Sequence, residues 1–287
     1  MCSSEREIDF MNTFSPRAIE NHLGTQIIGR EIHAFGELDS TNSEAYRMAR
    51  EGAGEGEVVV ADCQLRGKGR LGRRWLSPPG VNLYVSIILR PPILIRNAPL
   101  ITLMAAVATA KATKGITGLE PQIKWPNDLL INNKKVAGLL NEMKCKAGKV
   151  EFVILGIGIN INMTLGMVPE EMRSTATSLR EELGYDISRV EFLSTLLREL
   201  EGGYQGFLTG ELGRILRQWE EFSQMVGKLV EMKSFNEVIR GRVKGIDSNG
   251  SLLLSAPDGS ERKVIAGDIS QPGEFPDMKP ELEAKGK

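Results

Sequence analysis

Two neighbouring stretches constrain the fold most: a continuous apolar run, GEVVVADCQ at 56–64, and a glycine- and cation-rich stretch, RGKGRLGRRW at 66–75. The apolar run is typical of an internal strand. Gly67, Gly69 and Gly72 have the spacing of a dinucleotide-binding turn, in which the third glycine opens a helix. Here RRWLSPPG follows, so no useful helix can begin, and no acidic residue follows at the distance that a ribose contact requires. The sequence therefore argues against a Rossmann site.

The cations of residues 66–75, which we call the glycine loop, have two interpretations. A surface run of arginines is most often a solvated face. Glycines between cations, however, let the backbone approach a ligand, so that N–H groups and side chains reach the same anion. Such a loop after a buried strand suits a polyphosphate or a reacting phosphoryl group. The chain carries a net charge of −1 and no aromatic platform accompanies the loop, so nucleic acid is disfavoured as a partner.

The rest of the chain predicts a mixture of strands and helices followed by a small β module. Residues 30–38, 56–64, 82–92 and 150–163 read as strands, and 122–144 as three strands with a tight-turn signal at Asn132-Asn133. Residues 98–113 and 190–224 read as helices, and Ser40 or Thr41 as the N-cap of a helix that runs through EAYRMAREG. After Met225, short alternating strands separated by Ser-Asn-Gly and Pro-Asp-Gly turns predict a barrel of the SH3 kind. We therefore divide the chain into an N-terminal extension (1–29), a main domain (30–224), the module (225–270) and a disordered tail (271–287).

Composition limits the catalytic groups that the chain can use and the compartment in which it is expected. The three cysteines are scattered and form no metal or disulfide pattern, which favours a reducing cytoplasm. The two histidines, His22 and His33, precede the main motifs and read as surface or partly buried residues, so catalysis is expected from lysine, arginine and backbone donors. The N-terminus lacks the layout of a signal peptide, and the apolar run at 99–110 is too short to cross a bilayer. We predict no membrane partner.

Two further stretches carry polar or glycine residues at strand ends. In KWPNDLL, Lys124 ends a strand and Asn127 and Asp128 offer polar side chains in the next turn. Alone, this stretch fits a structural turn with a snorkelling lysine equally well. In GIGININ, Gly156 and Gly158 are expected to break a buried strand, and they indicate close approach of a ligand or of another backbone.

Together these pieces resemble the biotin–protein ligases. The resemblance covers roughly residues 30–270 and rests on SerThrAsn at 40–42, Gln64 with GKGRLGRRW, KWPNDLL with KKVAGLLNE, GIGININ and the module. It implies an α+β fold: a mixed β-sheet catalytic domain with helices, of the class II aminoacyl-tRNA synthetase-like or biotin–lipoate ligase type, followed by an SH3-like β-barrel. The family's loop usually reads GRGRxGRxW. Lys68 replaces its first arginine, which keeps the charge but loses a bidentate contact.

The resemblance also implies the reaction. Biotin's carboxylate would attack the α-phosphorus of ATP to give biotinyl-5′-adenylate and pyrophosphate, and a lysine of a biotin carboxyl carrier protein would then displace AMP. Cations and Mg²⁺ would offset the repulsion between the two anions. Some relatives carry an N-terminal DNA-binding domain; residues 1–29 are too few for one, so we expect a ligase alone. A homodimer formed by sheet extension is a further expectation.

Roles for single residues follow from the resemblance in the same way. Lys124, between carboxylate and α-phosphate, and Arg70, on the phosphate, are the catalytic candidates. The residues expected at biotin are Ser40, Thr41, Asn42, Gln64, Lys68, Gly69, Arg70, Lys124, Gly138, Gly156 and Gly158. Those expected at ATP or the adenylate are Gly67, Lys68, Arg70, Arg73, Trp75, Lys124, Asn127, Asn160 and Asn162. No metal ligand is assigned, although Asp128 is either structural or near the metal. The adenine-covering segment is expected at 163–180 and contains no aromatic residue.

Two alternatives remain from the sequence. A lipoate–protein ligase shares the catalytic fold and the acyl-adenylate chemistry, but its Arg-Arg-x-Ser-Gly-Gly type of signature is not found in this sequence. A non-catalytic nucleotide sensor would keep the glycine loop without needing Lys124.

Overall fold

A computed structural model describes residues 23–233 and 238–270. The predicted tail at 271–287, and residues 1–22 of the predicted N-terminal extension, lie outside the described residues. Within the described ranges, no helix combines the length and apolar character needed to cross a bilayer.

The main domain is built on one sheet of seven strands in the order β1-β2-β3-β7-β6-β5-β4. The strands are β1 Ile32–Leu38, β2 Val58–Gln64, β3 Leu83–Leu89, β4 Gln122–Lys124, β5 Asp128–Ile131, β6 Lys134–Lys146 and β7 Lys149–Ile159. The β1–β2 pair is parallel and the other neighbours are antiparallel, so the predicted mixed sheet is confirmed. Asn132 and Asn133 join β5 to β6 with φ of 49° and 62°, as the tight-turn prediction requires.

One prediction about β7 was wrong. We expected its glycines to break the strand, but β7 runs through Gly156 and Gly158 without interruption. The strand persists because β3 and β6 pair with it on both sides along this length, and the two ladders hold the backbone extended.

In the described part of the chain, five α-helices pack around the sheets: α1 Thr41–Glu51, α2 Pro99–Thr117, α3 Leu179–Leu183, α4 Arg189–Leu208 and α5 Leu212–Ser223. Proline at its first position starts α2, and Gly118, with φ of 71°, ends it four residues later than predicted. The single helical region predicted at 190–224 is two helices, because Gly210 turns the chain with φ of 85°.

The C-terminal module is a five-stranded antiparallel sheet in the order β11-β10-β9-β8-β12, consistent with the predicted SH3-like barrel. Its strands are β8 Leu229–Lys233, β9 Val238–Ile246, β10 Leu252–Ser255, β11 Glu261–Val264 and β12 Asp268–Ser270. Leu252 and Leu254 belong to the same buried cluster as Leu100 and Leu103 of α2. The module and the main domain therefore share one hydrophobic core, which fixes the module beside the catalytic sheet.

Candidate active site

A trough without side chains crosses one face of the sheet. In the ladders, Gly158 of β7 lies between Tyr84 of β3 and Gly138 of β6, and Gly156 follows on the same face. A Cβ at Gly156 would overlap Asn42 Oδ1, and one at Gly158 would overlap the indole of Trp75. Glycine at these positions therefore lets Asn42 and Trp75 approach the sheet and leaves a hollow beside them.

The indole of Trp75 packs against two of these glycines, Gly138 and Gly158. A Cβ at Gly138 would lie 2.9 Å from Trp75 Cζ3, and Lys135 Nζ lies 5.4 Å from the ring centroid, in cation–π geometry. Trp75 Nε1 is buried and has no hydrogen-bond partner among the described residues. Trp75 thus packs flat on the glycines, as an anchor for the end of the glycine loop.

Beneath the glycine loop lies a cavity of about 200 Å³, here called the inner pocket. Every residue predicted to contact biotin lines it except Lys124: Ser40, Thr41, Asn42, Gln64, Lys68, Gly69, Arg70, Gly138, Gly156 and Gly158. Tyr84 lines it as well, and burial raises the pKa of its phenol, so this group is neutral at physiological pH.

Hydrogen bonds between uncharged groups build the floor of the inner pocket. The Thr41 N–H donates to Gln64 Oε1 at 2.9 Å, and Gln64 Nε2 donates to Ser77 Oγ at 2.9 Å. The Ser86 hydroxyl is fully buried and lies 2.8 Å from Thr41 Oγ1 and 2.6 Å from Asn42 Oδ1. These contacts fix the orientation of both amides before any ligand binds.

Ser40 holds the N-cap position of α1, but its side chain makes no capping hydrogen bond. The purely structural interpretation of Ser40 as a helix cap therefore lacks its expected contact. The side chain is 3% exposed and borders the inner pocket instead. Asn42 differs, because its Nδ2 donates to Glu142 Oε2 at 2.9 Å and its polar atoms are engaged by protein groups.

Charged side chains form the roof. Arg70 donates to Asn127 Oδ1 at 3.1 Å and to the Gly267 carbonyl of the module at 3.3 Å, and it lies 3.6 Å from the carboxylate of Asp268. Burial lowers the pKa of Arg70 from its ordinary value, while Asp268 and Asp128 oppose that shift. Arg70 is thus a partly desolvated cation aimed into the inner pocket.

Three other loop cations also meet carboxylates from outside the loop. The pairs are Lys68 with Glu142 at 3.1 Å, Arg66 with Asp39 at 3.3 Å, and Arg73 with Asp268. The cations of the loop are therefore paired with carboxylates on β6, on the β1–α1 connection and on the module.

A second cavity of about 580 Å³, the side pocket, adjoins the inner pocket. Both are lined by Arg74, Trp75, Asp128, Lys135 and Met172. Lys124 and Asn160 line the side pocket, and Met163, Val168 and Ala176 form a small apolar cluster at its wall. The segment expected to cover adenine thus contributes methionine and aliphatic side chains.

Lys135 was not predicted as a site residue. Its Nζ lies 2.7 Å from Asp128 Oδ1, where the two pockets meet. The β5–β6 ladder shifts register between Leu129 and Leu130, and this bulge brings Lys135 beside Gly138, on the pocket face. Strict strand alternation from Gly138 would have placed Lys135 on the opposite face.

Three predicted nucleotide residues are engaged by backbone groups. The amide of Asn162 exchanges two hydrogen bonds with Ile187, and Asn162 lines neither pocket. Asn160 Nδ2 donates to the Thr177 carbonyl at 3.0 Å, and Asn127 Nδ2 donates to the Leu139 carbonyl at 2.7 Å. Asn127 still offers its oxygen to Arg70.

Outside the loop is a cleft of about 640 Å³, the outer cleft, lined by Gly67 and the other residues of 66–74. Leu140 to Met143 of β6 line its opposite side, next to Thr102 of α2 and Ile265 of the module. β5 pairs with β6 only as far as Gly138, and among the described strands none pairs with that side of β6 beyond it. The outer cleft therefore combines a free strand edge with cations.

One group of possible metal ligands lies elsewhere in the described part of the chain. Glu31, His33 and Glu57 meet where β1 and β2 begin, at the opposite end of these strands from Gln64. His33 Nε2 lies 3.0 Å from Glu57, so the predicted partly buried histidine forms an ion pair when protonated. This group takes no part in the pockets.

Two joined pockets, one with a hydrogen-bonding floor and a cationic roof and one with an apolar wall, have the chemistry expected of neighbouring sites for an acid and a nucleotide. Comparison with known proteins agrees. The model of the Biotin/lipoate A/B protein ligase family matches residues 35–160, and that of the Biotin protein ligase C terminal domain matches 226–270.

Relatives and solved structures extend over most of the chain. The bifunctional ligase/repressor BirA of Bacillus subtilis is 37% identical over 247 residues, 86% of this chain and 76% of that protein. The biotin–[acetyl-CoA-carboxylase] ligase of Paracoccus denitrificans is 32% identical over 79% of this chain and 94% of its own length. The biotin protein ligase of Aquifex aeolicus in complex with biotin and ATP has a TM-score of 0.72 at 30% identity, covering 84% and 98% of the two chains. The chain therefore belongs to the biotin protein ligase family.

Proposed function

We propose that this biotin–protein ligase joins biotin to AMP in the inner and side pockets and then transfers the biotinyl group to a lysine of a biotin carboxyl carrier protein. The observation that carries the proposal is the junction of the two pockets. Trp75, Asp128 and Lys135 line both, so an acid in one meets a nucleotide in the other.

Biotin is assigned to the inner pocket. Its ureido ring needs hydrogen-bond partners when buried, and Ser40, Thr41 and Gln64 supply them at the floor. Its bicyclic ring fits beside Asn42 and Trp75, which pack against Gly156 and Gly158 at the wall of the inner pocket. Its carboxylate then points to the roof and the junction.

ATP is assigned to the side pocket. Met163, Val168 and Ala176 offer an apolar surface to the adenine, and the Trp75 indole offers an aromatic one. The α-phosphate lies at the junction, within the reach of Lys124, Lys135 and Arg70.

In the first step, a biotin carboxylate oxygen bonds to the α-phosphorus, the bond from that phosphorus to the bridging oxygen breaks, and pyrophosphate leaves. A carboxylic acid is ionised at neutral pH, so no protein base is required. Lys124, Lys135 and Arg70 offset the repulsion between the anions. Each such positioned donor stabilises a transition state by about 3 kcal/mol.

Mg²⁺ is proposed to act in this step by binding the phosphates. It prefers carboxylate, phosphate and water oxygens. Asp128 fits this requirement because it borders both pockets, although it pairs with Lys135 in the present structure. Bound there, Mg²⁺ would neutralise charge on the leaving pyrophosphate.

In the second step, the carrier's lysine amine attacks the acyl carbon, the bond to the phosphate oxygen breaks, and AMP leaves. The outer cleft is the proposed entry, since it lies directly across the loop from the inner pocket. The free edge of β6 lines the same cleft and also supports a homodimer formed by sheet extension, which would compete with the carrier for that edge. Scattered cysteines support a cytoplasmic location, with Cys63 and Cys145 both unpaired.

A lipoate–protein ligase is the second candidate, because the matched family includes both kinds of enzyme. The floor argues for biotin. A ureido ring can exchange hydrogen bonds with this polar floor, whereas a dithiolane ring offers it no hydrogen-bonding group.

The test is pyrophosphate release with ATP and Mg²⁺, comparing biotin with lipoate, for the wild type, Lys124→Ala and the control Lys146→Ala at an exposed position. We expect release that requires biotin, falls by about 100-fold in Lys124→Ala and is unchanged in the control. Release with lipoate alone would reassign the enzyme to the lipoyl class. No release with either acid would leave a nucleotide sensor.

A further inference from the structure

One carboxylate joins the mouth of the inner pocket to its floor. Glu142 of β6 accepts from Lys68 Nζ at 3.1 Å through Oε1 and from Asn42 Nδ2 at 2.9 Å through Oε2. Lys68 belongs to the glycine loop, whereas Asn42 is buried in the first turn of α1. Glu142 therefore connects the glycine loop, which covers the inner pocket, with α1, which contributes to its floor.

The connection continues around the floor and returns to the loop. Asn42 contacts Ser86, Ser86 contacts Thr41, Thr41 contacts Gln64, Gln64 contacts Ser77, and Ser77 Oγ donates to the Trp75 carbonyl. The Trp75 N–H donates to the Gly67 carbonyl at 2.8 Å, next to Lys68. The hydrogen bonds form a closed ring, here called the pocket ring, around the inner pocket.

The hydroxyl protons of the pocket ring leave an acceptor free towards the pocket. An amide oxygen only accepts, so Ser86 gives its single hydroxyl proton to Asn42 Oδ1. The Thr41 hydroxyl has one proton and two acceptors within reach, Ser86 Oγ at 2.8 Å and Gln64 Oε1 at 3.2 Å. With that proton given to either group, Thr41 Oγ1 keeps a lone pair that suits a ureido N–H.

We propose that Glu142 is a positioning residue that keeps the glycine loop closed over the adenylate by tying Lys68 to Asn42. The inference rests on the proposed function, because it concerns retention of the intermediate that the two pockets form. Without Glu142, the loop loses its tie to the floor, and the reactive adenylate escapes more often before a carrier arrives.

The same strand pair provides a matched control. Glu151 of β7 pairs with Lys144 at 3.0 Å, and its side chain is 38% exposed against 32% for Glu142. Glu151 lines none of the three cavities at the site. An exposed ion pair stabilises little by itself, so an effect confined to Glu142 must come from its connection to Asn42 and the loop.

The experiment compares Glu142→Gln with Glu151→Gln in two measurements at saturating biotin, ATP and Mg²⁺ without carrier. Glutamine keeps an acceptor for Asn42 but removes the charge that holds Lys68. The first measurement is the rate at which an arginine-specific protease cleaves within residues 66–74. The second is pyrophosphate release after the initial burst, which equals the rate of adenylate loss because each lost adenylate permits one new turnover.

We expect both rates to rise about two- to fivefold in Glu142→Gln, the upper part of the range for one weak ion pair, and to stay at the wild-type value in Glu151→Gln. Rates equal in all three proteins would overturn the role of Glu142. Absence of a burst in the wild type would instead contradict the proposed function.

A second variant separates loop closure from general destabilisation. Lys68→Gln removes the partner of Glu142 and leaves every arginine cleavage site in place. It should raise both rates as Glu142→Gln does, and the double variant should exceed neither single variant appreciably. Additive effects in the double variant would show that the two residues act separately and would overturn the proposal.

Discussion

The floor and the roof of the inner pocket hold their groups in opposite ways. The floor consists of buried, uncharged groups such as Thr41 and Ser86, which neighbouring strands and α1 fix by short hydrogen bonds. The roof consists of charged side chains such as Lys68 and Arg70, which are held by carboxylates and carbonyls from distant elements. A fixed floor suits recognition of one neutral ring, whereas exchangeable ion pairs suit anions that arrive, react and leave.

The largest expected effect comes from breaking the roof. Arg70→Ala removes the partly buried cation, so the rate of biotin-dependent pyrophosphate release should fall by about 10²- to 10³-fold. Calorimetric binding of biotinol, which lacks the carboxylate, should change little because the floor is intact. Arg66→Ala is the matched control, since Arg66 is exposed and lines only the outer cleft. Equal losses in both variants would contradict a special role for Arg70.

Breaking the floor should give the next largest effect. Gly156→Ala forces Asn42 from its position, at a cost of about 1–3 kcal/mol for overpacking, so biotinol binding should weaken by about 5- to 150-fold. In Gly202→Ala the added methyl meets nothing within 4 Å, and this helical substitution should leave binding unchanged. Calorimetry on both variants tests the contrast; unchanged binding in Gly156→Ala would show that the floor adapts.

The smallest expected effect concerns Trp75, which lines both the inner pocket and the side pocket. Trp75→Phe keeps an aromatic ring but removes about 1 kcal/mol of packing, so the KM for ATP should rise about three- to tenfold. Trp219→Phe is the control, because the Nε1 of Trp219 is likewise without a described partner and its side chain is fully buried. That variant should lower Tm without changing the KM for ATP. A raised KM in both would assign the effect to stability alone.

Local patterns in the sequence predict most of the fold. Alternating and β-branched runs locate the strands, and Asn132-Asn133 locates the hairpin. These features can be predicted because each depends only on residues that are close together in the sequence. The glycine loop begins after β2 as predicted and contains only a single 3₁₀ turn, Arg70–Gly72. Its anion-binding interpretation stays a prediction, as do the roles of the individual site residues.

Features that depend on contacts between distant parts of the chain cannot be predicted from local sequence patterns. Lys135 reaches the pocket face only because of a bulge in β6, which alternation does not reveal. Asp268 contacts Arg73 across 195 positions of sequence, and no local pattern links them. Asn162 shows that a polar residue next to a motif need not face a pocket. Its amide suggests a nucleotide contact, but both ends of that amide form hydrogen bonds with the backbone of Ile187.

The module accepts hydrogen bonds from the glycine loop and from the KWPNDLL stretch through main-chain carbonyls. Trp125 Nε1 donates to the Gly250 carbonyl at 3.2 Å, and Arg70 donates to the Gly267 carbonyl. A carbonyl has the same chemistry whatever side chain accompanies it. Side-chain substitutions in the module should therefore leave these two hydrogen bonds in place, whereas a substitution of Asp268 would remove the carboxylate that lies beside Arg70 and Arg73. Truncating the module at residue 225 would remove both acceptors together.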